Sequence, residues 1–320
     1  MAANEVRVGL VGCGVHAREV VLPAAQRAGM ELAAVCDLDK RLAQRVTRRF
    51  GAFRAYQDIG TMVEEMDLDA VLACGPPEMH AEAAEVALRR GCHVWTEMPA
   101  APTAAEAQRL AELASERELV AEVGLVMRHA PAYRRLHAIC NEDGFGEVRS
   151  IEVVWWPPRL NGHEDPLSFD LSHALDFVRF IGGDVGRMSV ARAGGGRAML
   201  VTMELQSGAV ASVSFAAPAD CPRERVAVAS MGATVAVEGR RTVTLRRCGH
   251  DETSVWGTEA HWAGMQGGSE RAQGFLPQME HFARAVAGEE EPLTAMSDAA
   301  YVLRLVERAG NSAGELVEVS

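Results

Sequence analysis

The 320-residue sequence predicts an α/β protein in two parts. A doubly wound, parallel-sheet domain is expected over 1–125, and an α+β domain with an open, mainly antiparallel sheet over 126–320. Three observations carry this reading. Short apolar runs alternate with amphipathic stretches through the first 125 or so residues. A glycine-rich turn stands at the first strand–helix junction. After about residue 147 the texture changes to consecutive segments that alternate apolar and polar residues.

The elements follow in order. VRVGLVG (6–12) reads as a buried strand, followed by a helix from about Ala17 to Ala28. ELAAVCD (31–37) is a second strand, and KRLAQRVTRRF (40–50) has helical spacing with a basic outer face. DAVLACG (69–75), the helix AEAAEVALRRG (81–91), the strand HVWTE (93–97), the helix AEAQRLAELASERE (105–118) and the strand LVAEVGLVM (119–127) complete the alternation. Apolar strands of about five residues alternating with helices build βαβ units, whose right-handed crossovers place helices on both sheet faces. From 147 onward VRSIEVVWW, GRMSVARA, RAMLVTMELQ, AVASVSFAA, RVAVASM, TVAVEG and RTVTLRR read as six or so antiparallel strands with one dry face. A helix over SHALDFVRFIG (172–182) interrupts them, and helices at 278–288 and 297–310 end the chain. A long loop is expected over 257–274.

Composition narrows the function. The chain is 48% hydrophobic and 24% charged, ordinary for a soluble globular protein. No apolar run approaches the roughly 18 residues of a membrane span. The start lacks a charged-then-apolar leader with a cleavage site, so a cytoplasmic protein is expected. A formal charge of -12 disfavours nucleic acid as a partner. Seven cysteines, none as C-x-x-C, read as free thiols, four of them in or beside strands of the first half. No Cys/His cluster has metal-ligand spacing, so no metal is expected.

Gly12-Cys13-Gly14-Val15-His16-Ala17 reads G-x-G-x-x-A between a strand and a helix. Gly12 permits the tight turn, Gly14 lets backbone approach a pyrophosphate, and Ala17 permits close helix–strand packing. The helix start adds unpaired N–H donors. Val15 and His16 lie inside the turn, with His16 either bordering the pyrophosphate or partly exposed at the helix start. Asp37, closing the second strand, is placed to accept from an adenosine ribose, and its charge disfavours a 2′-phosphate. The first domain is thus a Rossmann domain for NAD, with NADP possible because Lys40 and Arg41 follow.

Further motifs carry a family resemblance. GLVGCGVHA, CDLDK, CGPPEMHAEAA, GCHVWTEMPAAPTAAEA, RHAPAYRRL, GFGEVRSIEV and HALDFVRFIGG together resemble the Gfo/Idh/MocA family of oxidoreductases across essentially the whole chain. The resemblance implies a Rossmann domain, an open-faced α/β domain, and a hydroxyl/carbonyl substrate of the sugar or inositol kind. It implies a homodimer or homotetramer through the open sheet. Carried over, Gly12, Gly14 and Asp37 hold the adenosine end. Gly75, Pro76, Pro77 and His80 line the nicotinamide side, and Glu97, Met98 and Pro99 shape the strand end nearest the ring. His173 and Asp176 face substrate.

Two departures bear on the chemistry. The family's E-K-P lysine is replaced by Met98, whose thioether carries neither proton nor charge. Phe169 stands where the family places an aspartate, and Asp170 is three residues before His173 instead of four. Hydride transfer to or from an alcohol needs an acid/base group tuned near neutral pH. His173 is the candidate, with Asp170 to orient it. Asp176 stays open between a catalytic and a structural role. Met98, Arg128, Arg159, His163 and His173 are the candidate substrate contacts, with Asn161 and Glu164 in the same altered loop, 157–169. Trp155 and Trp156 point to opposite sides of one strand. Two other readings stay open: a redox-neutral NAD-dependent lyase, hydrolase or epimerase, and a non-catalytic nucleotide-binding regulator.

Overall fold

The computed structural model describes residues 5–157, 171–249, 253–257, 268–310, 312 and 314–319. Two compact units emerge: Met1–Leu125 with Phe275–Tyr301, and Val126–Gly274 with Val302–Ser320. The sequence reading assigns all of 126–320 to the second domain. The segment 275–301 belongs with the first instead, because its apolar face completes that unit's core.

The first unit is built on β1 (Arg7–Val11), β2 (Glu31–Cys36), β3 (Arg54–Tyr56), β4 (Ala70–Ala73), β5 (His93–Thr96) and β6 (Ala121–Val123). They form one parallel sheet in the order β3-β2-β1-β4-β5-β6. The order reverses between β1 and β4, the switch point at which doubly wound sheets open a crevice for ligands. Val8, Leu10, Leu32, Val35, Leu72 and Trp95 form a core that also takes Met279 and Phe282, from the helix Phe275–Val286. Truncating a fully buried phenylalanine such as Phe282 costs about 3–5 kcal/mol.

Local chemistry sets the helices of this unit. The first starts as a wide turn over Ala17–Val21 before α1 (Leu22–Arg27). Pro23 has no N–H for the usual ladder, and Leu22 N–H reaches back to the carbonyl of Ala17. Asp39 caps α2 (Lys40–Phe50) by accepting from Arg41 N–H at 2.8 Å and Leu42 N–H at 3.1 Å. Thr103 caps α5 (Ala104–Glu116): its Oγ1 accepts from Glu106 N–H at 3.2 Å and donates to the Glu106 carboxylate at 3.0 Å. Two further helices are α3 (Ile59–Glu65) and α4 (Pro77–Arg89). β3 and α3 are absent from the sequence reading: three and seven residues are too short for a period to declare itself. The strand expected over 119–127 stops at Val123, and Val126–His129 forms a tight helical turn in the second unit.

The second unit has nine strands in one sheet, ordered β14-β13-β12-β11-β7-β10-β9-β8-β15. The seven segments expected from sequence become β7 (Val148–Trp156), β8 (Val185–Ala193), β9 (Ala198–Leu205), β10 (Val210–Ala216), β11 (Arg223–Ser230), β12 (Ala233–Glu238) and β13 (Thr242–Arg247). β14 (Thr253–Trp256) and β15 (Val317–Glu318) extend the two edges. Among the described residues of this sheet, β7 and β10 pair in parallel and the other pairs are antiparallel. Ile151, Val153, Val213, Val201, Val226, Val228, Val235 and Leu245 are all buried on one face. Two helices cover that face, α6 (Pro131–Cys140) and α7 (Ser172–Gly182). Pro131 at the first helical position marks α6, which the sequence reading passed over. The opposite face carries Thr202, Ser212, Ala227, Ala236 and Thr244 with the ion pairs Arg225–Glu152 and Arg225–Glu238. Most of the loop expected over 257–274 lies outside the described residues, and its described end, Gly268–Gln273, is helical. Among the described residues no helix is long and apolar enough to cross a membrane, and no His/Cys/Asp/Glu cluster can hold a metal.

Candidate functional site

The glycine turn sits at the C-terminal end of β1. Gly12 has φ +88°, and a Cβ there would stand 2.2 Å from the Cys74 carbonyl oxygen. Only glycine lets the turn pass so close to β4. Gly14 has nothing within 4 Å of where its Cβ would be, so the space above it is open. Asp37 fixes the turn from the neighbouring strand: its Oδ2 accepts from Cys13 N–H at 2.7 Å and its Oδ1 from Asp39 N–H at 2.8 Å. A carboxylate has further acceptor capacity beyond those two bonds. Burial, with the Asp37 carboxylate alongside, pushes the Cys13 thiol up to about 12, so it stays protonated and is no nucleophile. Val15 is 67% exposed at the tip of the turn. The cradle fits a dinucleotide's pyrophosphate at Gly12–Gly14 and its ribose at Asp37.

His16 and Glu97 join the turn to the end of β5. His16 Nε2 and Glu97 Oε1 stand 2.9 Å apart, and the imidazole meets the Phe275 ring edge-on at 5.6 Å. Burial works against the charged imidazole, but the hydrogen bond and charge of Glu97 outweigh it and hold His16 above its usual value. The other Glu97 oxygen accepts from Met98 N–H at 2.9 Å. Gly124 makes room for it: a Cβ there would lie 2.5 Å from Glu97 Oε2.

Met98 is 1% exposed, ahead of a cis peptide to Pro99. His80 lines no surface, contrary to expectation. It is fully buried; its Nδ1–H donates to the Pro99 carbonyl at 2.7 Å and its Nε2 accepts from Gly75 N–H at 2.8 Å. Burial, partly offset by the Pro99 carbonyl, keeps it below the ordinary imidazole value and neutral. His80 is a strut between two loops. The residues it supports, Gly75 and Pro76, are the exposed ones, with Pro77 half-buried at the start of α4.

The remaining candidates lie in the second unit. His173 is the second residue of α7 and partly exposed. Asp176, left open between a catalytic and a structural role, and Arg128, a candidate substrate contact, meet each other. They form a buried bidentate pair, Nε–Oδ2 at 2.8 Å and Nη2–Oδ1 at 2.5 Å, with the guanidinium 4.9 Å from the Phe180 ring. The Arg128 side chain is 6% exposed and that of Asp176 1%, so each is engaged by the other and the pair holds α7 to the turn Val126–His129. Asp170, Arg159 and His163 lie outside the described residues.

One further cluster brings Tyr133 together with two residues that no sequence motif marks, Glu224 and Arg240. Glu224 points inward on β11, where its neighbours in the alternation, Val226 and Val228, are buried. Tyr133 Oη donates to Glu224 Oε1 at 2.6 Å, and Arg240 Nε donates to the same oxygen at 2.5 Å. A charged residue at an inward position of an alternating strand is the signal that marks it.

Comparison with known proteins fits this geometry. Residues 6–125 match the family model GFO_IDH_MocA, described as an oxidoreductase family with an NAD-binding Rossmann fold. The chain is similar to a dTDP-3,4-didehydro-2,6-dideoxy-alpha-D-glucose 3-reductase of Actinomadura kijaniata, 33% identical over 162 residues. That match covers 50% of this chain and 48% of the relative, so the chain spans about half the length of that protein. It is also similar to inositol 2-dehydrogenase 4 of Saccharopolyspora erythraea, 28% identical over 67% of this chain and 68% of that one. Among solved structures, levoglucosan dehydrogenase in complex with NADH and L-sorbose superposes with a TM-score of 0.87 over 99% of both chains. At 16% identity, that likeness speaks to fold alone. The glycine cradle, the Asp37 clamp and the order of the parallel sheet all fall within residues 6–125, the stretch that matches this NAD-binding Rossmann family model.

Proposed function

We propose that the chain is an NAD-dependent oxidoreductase that interconverts a hydroxyl and a carbonyl on a small sugar- or polyol-like substrate, with His173 as its acid/base group. The observation that carries this reading is the cradle itself: a turn that only glycine can make, clamped by Asp37, beside open space at Gly14. The relatives named as a sugar reductase and an inositol dehydrogenase support the substrate class.

Gly12 and Gly14 would hold the pyrophosphate and Asp37 the adenosine ribose, its charge favouring NAD over NADP. When bound, the nicotinamide supplies or accepts hydride. The chain must then move one proton at the substrate oxygen. His173, at the start of α7, is the group that does so; its usual pKa lies near neutrality. Met98 brings no proton to this task. Arg128 and Asp176 act by position, holding α7 through their buried pair. The face of the nine-stranded sheet that no described helix covers is the surface through which copies of the chain would associate.

The test is His173→Ala with a panel of polyols and NAD. Turnover should vanish while NADH affinity stays within a few-fold of wild type and the unfolding midpoint holds. Full activity in that variant would remove His173 from the proton transfer. Substrate loss without net NADH would instead support the redox-neutral reading.

A further inference from the structure

The covered face of the nine-stranded sheet carries a polar end. Trp155 on β7 and Glu224 on β11 are register partners, so their side chains share that face as neighbours. Arg240 lies over the Trp155 ring at 5.3 Å and donates from Nη1 to the Gln273 carbonyl at 3.0 Å. It does so from the tight turn between β12 and β13, where both Gly239 (φ 57°) and Arg240 (φ 58°) are left-handed. A long side chain seldom occupies that backbone region. Here the turn directs the guanidinium inward, where Arg240 and Tyr133 both bind Glu224 Oε1.

Two polar atoms of the cluster have capacity to spare. Glu224 Oε2 makes no hydrogen bond among the described residues, and the side chain is 23% exposed. Trp155 Nε1 is buried with no partner among the described residues. A buried indole N–H without an acceptor is costly and rare in a settled fold, and a ligand oxygen is one way to satisfy it.

The same end of the face holds the start of α7. A Cβ at Gly182 would meet Ile151 Cδ1 at 2.7 Å, so the C-terminal end of α7 rests on the beginning of β7. Phe177 packs on Tyr133 at 4.8 Å, and Tyr133 reaches Glu224, opposite Trp155. The helix therefore runs back along the strand. Nine residues of helix cover about 13.5 Å and the four strand steps from Ile151 to Trp155 about 13 Å, which brings His173 towards the Trp155 end.

We propose that Glu224 and Trp155 form a subsite that recognises neighbouring hydroxyls of the substrate. The carboxylate oxygen accepts from one hydroxyl and the indole N–H donates to another. Tyr133 and Arg240 are positioning residues that aim Glu224. This inference rests on the oxidoreductase reading and names the specificity determinant of its substrate side.

The test compares wild type, Glu224→Gln and Trp155→Phe with NAD and a panel of myo-inositol, levoglucosan and simple pyranoses. Glu224→Gln keeps an oxygen for Tyr133 and Arg240 while removing the charge, and Trp155→Phe keeps an aromatic ring beneath Arg240, smaller than the indole, while removing the N–H donor. Each should raise KM at least about 10-fold, with kcat within about 3-fold and NADH affinity unchanged, because uniform binding is what is lost. An analogue lacking the recognised hydroxyl should bind wild type and variant equally weakly. If wild type turns over the panel but either variant keeps the wild-type KM, the subsite is overturned and the oxidoreductase reading stands. If wild type binds NADH yet turns over nothing, both fall together.

Discussion

Both carboxylate oxygens of Asp176 grip the guanidinium of Arg128, at 2.8 and 2.5 Å, in a pocket where neither side chain sees appreciable solvent. The pair joins two elements that the sequence separates by 48 residues. Removing one partner breaks a buried, bidentate charge pair. Asp176→Asn should therefore cost about 3–5 kcal/mol of stability in denaturant titration. Arg128→Met combined with Asp176→Leu should recover most of that loss, since an apolar pair of similar volume carries no desolvation cost. A stable Asp176→Asn variant without turnover would return Asp176 to the catalytic set.

Gly12 and Gly14 separate fold from ligand. Gly12→Ala drives a Cβ to 2.2 Å from the Cys74 oxygen at a φ of +88°, and should cost about 1–3 kcal/mol as well as NADH affinity. Gly14→Ala meets no atom within 4 Å, so the unfolding free energy should move by less than about 0.5 kcal/mol. NADH affinity, read by fluorescence titration, should nevertheless fall at least about 10-fold, because the methyl takes the room a pyrophosphate needs. Unaltered NADH binding in Gly14→Ala would put the phosphates elsewhere.

The His16–Glu97 contact makes stability depend on pH. His16 holds its proton more tightly in the folded chain than in the unfolded one. Its stabilisation is full below the unfolded imidazole value, about 6.5, and is lost as pH rises through the higher folded value. The difference in unfolding midpoint between wild type and His16→Gln should be clear near pH 6 and shrink towards about pH 9. A difference constant across that range would mean that His16 contributes by packing on Phe275 alone.

Met98→Lys asks what the thioether replaced. The side chain is 1% exposed, so an ammonium there starts buried. The variant should lose about 2–4 kcal/mol of stability with no gain in turnover. A stable, faster variant would show that the position accepts the lysine and that the methionine simply removed it.

Much of the architecture was legible because buried parallel strands and half-buried antiparallel ones leave different periods. Seven of the nine strands of the second unit show that alternation over part or all of their length, most regularly β9 and β10. The glycine turn and Asp37 were legible because each answers a local steric or charge demand. His80, Arg128 and Asp176 were harder to place, since burial and partnership are decided by tertiary packing. A histidine followed three residues on by an aspartate looks the same in sequence whether the carboxylate faces a ligand or a guanidinium. Glu224 and Arg240 escaped for a related reason. Their meeting depends on the β11–β12–β13 register and on a left-handed turn at Gly239–Arg240.

Met279 and Phe282 belong to the same core as Val8 and Leu10. A nascent chain emerging from the ribosome therefore cannot finish its amino-terminal half when that half has been synthesised. The unfinished core must wait, one side open, until the whole of 126–274 has been added. A gene fragment cut at residue 125 would express this waiting state permanently, and its expected fate is aggregation.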